Sequence, residues 1–471
     1  MFFERFHDSN IVKKLNSFFR SKYMVAIIIA LAALSNIFGL ELPVYYIYTA
    51  IVVLTVLFCE DMLPILPMAC CGYMTFSRNS NPLGVEESTF RNSNNILQLI
   101  IIASIIGIFA LSRVIFDIVK HPERRTKPKL LLGFILILIT NLIGGYSTKY
   151  FGSKTMFYGL LHAISISFTY FLFYYTINWR KVKKDHFMFI LLTLGLLMLS
   201  ECLNMYIECG NFSATEGFQR KYVFTGWGMY NNVALMCVLF LSAPFYYINT
   251  NIKRKKLPYI LLVLLMYLNL FLLQSRNGIL FGTLTLILCT LASFKRTHNR
   301  KILFTTAAIT VVLLVGFFMI AIPGTLNLFL DLVAKGFFMG DRYAVYNASM
   351  KLFFDNPIAG AGFYGLEGYV WNLTSHVPGF LPPRCHNTYI QILASCGILG
   401  ILAYIVHRIQ TIKVIRSCDK NIALTVMKIS LVMFMLMSIL DCHFHNLGPG
   451  LMYSAYLLVI EKMHYKEKED F

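Results

Sequence analysis

The chain is short of charge. Asp, Glu, Lys and Arg supply 14% of its 471 residues, well below the roughly 25% of a soluble domain. Its eleven cysteines include no Cys-x-x-Cys pair, which excludes a zinc ribbon and a dithiol redox motif. Most lie in apolar stretches; Cys209 and Cys385, both assigned below to the outer side, are a pair that a disulfide could join. There is no internal repeat and no low-complexity tract. What fills the space is apolar: 57% of the residues are hydrophobic, in runs of about 17–25 residues that are long enough to cross a bilayer. A soluble fold could not bury them all.

The runs predict spans at 23–40, 43–59, 62–76, 95–117, 130–146, 155–178, 187–207, 230–250, 257–275, 278–294, 302–324, 387–407, 421–441 and 447–461. The expected fold is therefore an all-α polytopic membrane protein with about 12–14 transmembrane helices, one membrane domain over residues 1–471. The stretch 62–76 is short and carries Pro64 and Pro67, so it reads either as a span or as a re-entrant segment. The first run follows a long polar N-terminus without a small-residue cleavage site and reads as a retained helix.

A net charge of +19 raises the question of nucleic acid. The distribution answers it. Basic clusters at 5–22, 120–129, 180–184, 253–256, 295–301, 408–420 and 462–468 hold 29 of the 42 basic residues and fall at every second loop. That is the positive-inside pattern, and it predicts both termini in the cytoplasm. The clusters are topology signals, and nucleic acid is not an expected partner.

Three long loops fall outside, at 77–94, 208–229 and 325–386. The last is the longest, and loops of more than about 15 residues are usually functional or disordered. Its density of aromatics, among them Tyr343, Tyr346, Phe363, Tyr364, Tyr369 and Trp371, argues for a structured outer cap. Residues 325–354 read as amphipathic helix on the membrane surface, with Asp341 as N-cap of its later part and Asn356-Pro357 as its stop.

Six arginines lie on the outer side, against the charge rule: Arg78, Arg91, Arg220, Arg276, Arg342 and Arg384. Arg276 stands between two long apolar runs with almost no loop; it either snorkels to headgroups or faces an anionic partner. Arg113 and Lys428 lie within spans near the inner edge, which leaves mid-span positions almost without charge and argues against a transporter. In the long loop, Gly360 and Gly362 could form a backbone anion nest or a self-satisfied turn. His386 opens the next span, where an imidazole could cap a helix or take a proton from a hydroxyl. Asp441-Cys442-His443-Phe444-His445 contains ligand-type residues, but histidines two apart diverge on a helix, so no metal is expected there.

Taken in order, Ser275-Arg276-Asn277-Gly278, Arg342-x-x-x-Tyr346, Asn356-Pro357-Ile358-x-Gly360-x-Gly362, His386-Asn387-x-Tyr389 and Gly397-Ile398-Leu399-Gly400 resemble the O-antigen polymerase/ligase superfamily. The resemblance is densest over 267–407. One departure is Tyr346, where the family often has tryptophan; it keeps an aromatic wall. Arg220, ahead of Gly226 and Asn231, is similar to a further family arginine, more loosely.

The resemblance implies a fold similar to C-type glycosyltransferases and a polyprenyl-diphosphate-linked glycan as donor. It implies a glycan or lipid-linked acceptor, and an active site on the outer face. Arg276 and Arg342 would stabilise the diphosphate and His386 would act as base, with Arg220, Gly360, Gly362, Tyr346 and Asn387 as substrate-binding residues. No cofactor is implied. Membrane lipids are partners, and whether a chain-length regulator is another stays open, as does polymerase against ligase.

Topology is testable directly. Single cysteines at Thr374 and Asn299, in a background lacking accessible cysteines, should label oppositely with an impermeant maleimide, Thr374 from outside. Labelling of Asn299 alone in intact cells would invert the assignment.

Overall fold

The structure is a computed structural model that describes residues 10–77, 93–122, 126–146, 148–149, 151–208, 224–250, 256–273, 275–294, 342–363, 385–416 and 421–469, though not every side chain within them. It is all-α. The one β pairing among these residues is a two-residue antiparallel ladder, β1 (Phe224–Thr225) with β2 (Gly228–Met229).

The helices are α1 (Asn10–Phe19), α2 (Lys22–Phe38), α3 (Glu41–Phe58), α4 (Leu66–Ser77), α5 (Ser93–Lys120) and α6 (Leu131–Ile143). There follow α7 (Ser153–Thr176), α8 (Lys184–Glu208), α9 (Tyr230–Phe240), α10 (Ser242–Thr250), α11 (Leu257–Leu272) and α12 (Arg276–Phe294). Last come α13 (Arg342–Asp355), α14 (Thr388–Arg416), α15 (Ile422–Leu440) and α16 (Leu447–Glu469). Each predicted span has a helical counterpart except 302–324, which lies outside the described residues. By length and composition seven are able to cross a membrane, or eight if α1 and α2, bent by 57°, count as one. The outward face of α5 carries Leu97, Ile101, Ile105, Ile108, Leu111 and Ile115, all exposed. Such a stripe suits hydrocarbon and not water.

Three local features depart from the simple span picture. The stretch 62–76 is a 3-10 turn at Leu63–Ile65 running into α4, and residues 62–68, Cys70 and Cys71 are buried inside the protein. The span 230–250 breaks at Leu241 into α9 and α10. Pro244 accounts for the break, because it has no N–H for the carbonyl of Phe240. The expected end of the 387–407 span is overrun, since α14 continues to Arg416. Arg408, read from sequence as an inner-loop charge, is therefore inside the bundle. Its guanidinium sits 4.0 Å from the Phe444 ring centre and donates to the Tyr453 hydroxyl at 3.3 Å. A cation over an aromatic face tolerates burial better than one in hydrocarbon.

The loop before α14 explains why two of the sequence motifs occur together. At Gly397 the backbone leaves helical geometry (φ 62, ψ −156), which frees amides of the following turn. Ile398 and Leu399 donate instead to the carbonyls of Pro357 and Ile358, at 2.9 and 3.2 Å. In return Ala361 donates to Ala394 at 2.8 Å. The Asn-Pro-Ile-x-Gly-x-Gly loop thus plugs the break in α14, backbone against backbone. A side chain at Gly397 would place its Cβ 2.3 Å from the Ile358 oxygen, and one at Gly360 2.4 Å from the Ser395 carbonyl carbon.

Gly397→Ala should consequently lower stability by about 1–3 kcal/mol, from strain at a left-handed φ together with the backbone clash. Thermal unfolding of the purified protein in detergent measures it. Gly107→Ala on α5, where an added Cβ meets nothing within 4 Å, should be neutral or slightly stabilising.

Candidate active site

The helices α9, α12, α14 and α16 all begin at one end of the bundle, where α15 ends. Asp441, the C-cap of α15, is the junction between them. Its Oδ1 lies 3.2 Å from His386 Nδ1 and accepts from the Cys442 amide at 2.7 Å. Its Oδ2 accepts from Asn231 Nδ2 on α9 at 2.8 Å, and its carbonyl accepts from Thr388 Oγ1 at 3.0 Å. Asn231 in turn accepts from Ser275 Oγ at 2.8 Å, the residue before Arg276. Asn277, just after Arg276, donates to the Leu440 carbonyl at 3.4 Å. Residues on both sides of Arg276 are thereby tied to the Leu440–Asp441 corner.

His386 is the only non-glycine residue with positive φ (48°) among those described. Histidine tolerates this region better than most residues, yet it costs about 1–2 kcal/mol. The surroundings hold it there. Tyr346 donates its hydroxyl to the His386 carbonyl at 3.2 Å, and Asn387 caps α14 by accepting from Tyr389 and Ile390 at 2.9 and 3.1 Å. The imidazole remains 38% exposed while its partner carboxylate is buried. With Asp441 ionised, a proton on Nδ1 would satisfy the carboxylate and leave Nε2 as the ring's free acceptor.

Burial works to raise the Asp441 carboxyl. The hydrogen bond from His386, the field of His443 and His386, and the Cys442 amide outweigh burial and hold it below the usual carboxylate range. The neighbouring Cys385 is a free thiol, beside Ser349 Oγ at 2.9 Å, and burial pushes it up to about 12. It is no thiolate nucleophile at neutral pH, and it forms no disulfide here; Cys209 lies outside the described residues.

Arg276 is the first residue of α12 and is exposed. A cation at the positive end of a helix dipole is unfavourable for the helix, so nothing in local stability explains it. The combination attracts anions. Arg342 opens α13, but its side chain, like all of Arg220, lies outside what the structure describes. The helix α13 ends at Asp355, before Asn356-Pro357, as the sequence predicts. It does not simply lie on a membrane surface: Val345, Leu352 and Ser349 are buried and pack it against Cys385 and α14. Residues 325–341 and the Asp341 cap are outside the described residues.

Gly360 and Gly362 have positive φ, as a nest requires. Their role in the structure is packing. The Gly360 amide donates to Asn356 and the Ala361 amide to Ala394, so neither is available to an anion, while Gly362 is wedged against Thr155 and Gly144.

Residues 261–405 match the O-antigen ligase family. That match supports membership of the O-antigen polymerase/ligase superfamily. No curated protein matches it. Members of that family are membrane enzymes of glycosyltransferase type, which suggests lipid-linked glycans as substrates in general. The matched segment contains Arg276, Arg342, Tyr346, Gly360, Gly362, His386 and Asn387. Asp441 and Asn231 fall outside it, and sequence reasoning missed both. Asp441 was visible there only as a metal-ligand type; the available signal was a carboxylate at the end of a predicted span, with a lone histidine at the start of another needing a partner. Asn231 belongs to the Gly226–Asn232 stretch noted after Arg220.

Asp441→Asn should slow glycan transfer by about 10²–10⁴-fold, the usual range for losing the group that orients a catalytic imidazole. A purified enzyme assay on lipid-linked donor checks this. Because the folded carboxyl titrates below its unfolded value of about 3.9, its stabilising charge is complete above that value. That contribution disappears only as pH falls through the folded value. Above the ordinary imidazole range, between about pH 7.5 and 9, the difference in thermal midpoint between the wild type and Asp441→Asn should therefore stay flat.

Proposed function

We propose that this chain polymerises polyprenyl-diphosphate-linked oligosaccharide repeat units of a surface polysaccharide, such as O-antigen, capsule or exopolysaccharide, at the outer side of a bacterial inner membrane. The supporting observation is the His386–Asp441 pair set among helix N-termini, with Arg276 heading one of them. The acceptor hydroxyl gives its proton to His386 Nε2 as its oxygen bonds to the anomeric carbon. The bond from that carbon to the diphosphate oxygen breaks, with inversion. Negative charge then accumulates on the diphosphate. Guanidiniums bind it bidentately and stabilise it most at the transition state, which makes the reaction independent of a divalent metal. Arg276 has that role here, joined by Arg342 and, as substrate-binding residue, Arg220. Tyr346 and Asn387 hold the base in place.

The positive-inside pattern supports a cytoplasmic location for both termini and an outer site. Ligation to a lipid-anchored core breaks the same sugar–diphosphate bond and is the second reading. The aromatic-rich outer loop, with Tyr369 and Trp371, supports polymerisation, because an extended glycan needs faces on which sugar rings stack.

Supplied with a purified polyprenyl-diphosphate repeat unit and no core acceptor, the enzyme should produce a ladder growing by whole repeats. Monomeric donor that persists until a core lipid is added, followed by a single transfer, would make it a ligase. In either assay Arg276→Lys should lose most activity, about 10²-fold or more, since lysine keeps the charge but not the fork. Near-normal product from His386→Ala would remove the general base.

A further inference from the structure

The opposite end of the bundle carries a second basic constellation that glycan transfer does not use. A half-open recess of about 260 Å³ lies where the α1–α2 turn meets the start of α8. Its charged wall consists of Arg20, Lys22, Lys181, Lys183, Asp185 and His186. We propose that this recess binds a phosphate group, that of an anionic phospholipid headgroup in the inner leaflet.

Four cations face one carboxylate in the wall. Carboxylates behind it brace two of the cations: Arg20 pairs with buried Asp61, and Lys181 with Glu60. Lys22 pairs with Asp185. Lys183 is exposed and has no carboxylate partner among the described residues. The protein therefore assembles more positive charge here than it neutralises. The helices α2 and α8 begin at Lys22 and Lys184 and add the positive ends of two dipoles to the same recess.

Location selects the source of the phosphate. The short helix α1 meets α2 at 57°, buries Val12 and Phe19, and leaves Lys13 and Lys14 exposed. That is the layout of a helix lying in the membrane interface. The recess opens in the corner beneath it, at the end that the charge pattern assigns to the cytoplasm. A volume of about 260 Å³ equals that of roughly nine waters, enough for a phosphodiester with its first substituent. Basic pockets between helices on that side take up anionic headgroups.

Native mass spectrometry of the full-length protein, titrated separately with phosphatidylglycerol, phosphatidylcholine and inorganic phosphate, tests the site. One tight phosphatidylglycerol adduct is expected, with phosphatidylcholine weaker. Lys183→Gln, which breaks no ion pair, should weaken the adduct about fivefold, and Lys183→Glu more. Lys127→Gln, at an exposed lysine outside the recess, should leave it unchanged. Inorganic phosphate binding as tightly as the lipid, with the same dependence on Lys183, would support the phosphate site and assign it to a soluble ligand. A lipid adduct indifferent to Lys183, or weakened equally by Lys127→Gln, would overturn the proposal.

Discussion

A carboxylate buried at the end of a membrane helix stays ionised only if donors come to it, and Asp441 draws them from several directions. Asn231 reaches it from α9, His386 from the segment before α14, and the Cys442 amide from its own turn. Its carbonyl takes up Thr388, and through Asn231 it reaches Ser275 at the start of α12. Losing one donor would leave a buried charge short of a partner, so the ends of α9, α12, α14 and α15 are held to a common register. Those ends carry Asn231, Arg276, His386 and Asp441, and one junction sets the geometry of the site.

A second constraint operates one layer deeper. The break at Gly397 exposes amides that hydrocarbon cannot satisfy, and the loop at 357–361 satisfies them. That exchange anchors the loop and with it α13, whose Tyr346 supports the left-handed backbone of His386. The 360–362 loop, which could have been an anion nest, and the 397–400 motif are thus joined parts of one helix–loop plug. The strain at His386 is maintained by contacts from Tyr346, Asn387 and Asp441. An imidazole held in this way has little conformational freedom left to lose.

The two ends of the bundle are built differently. At the Asp441 end, helix N-termini and Arg276 surround the His386 imidazole and leave it partly exposed, an arrangement that attracts anions. At the other end, Arg113 caps α3 through the carbonyls of Val56, Cys59 and Glu60, and Glu461 accepts from Tyr170, Tyr174 and the Lys129 amide. These contacts close the structure. Beside them the recess at Arg20 and Lys183 is an exception, basic beyond its neutralisation.

Composition and the spacing of apolar runs determined the all-α polytopic architecture, because a bilayer requires helices of nearly fixed length with few charges. The order of short motifs pointed to the superfamily that the 261–405 match supports, and singled out Arg276 and His386 as candidates. Local sequence also placed the end of α13, since Asn356-Pro357 cannot continue a helix. Tertiary structure alone decided that Asp441 belongs with His386, 55 positions earlier, because a carboxylate's partner depends on which helix ends converge. It likewise decided that Arg408 is buried over Phe444, and that the glycines of the 356–362 loop pack where an anion nest was an open reading. An arginine near a helix end, or a glycine at positive φ, reads the same in sequence whether water, a ligand or another backbone lies opposite. Only the packing supplies what lies opposite.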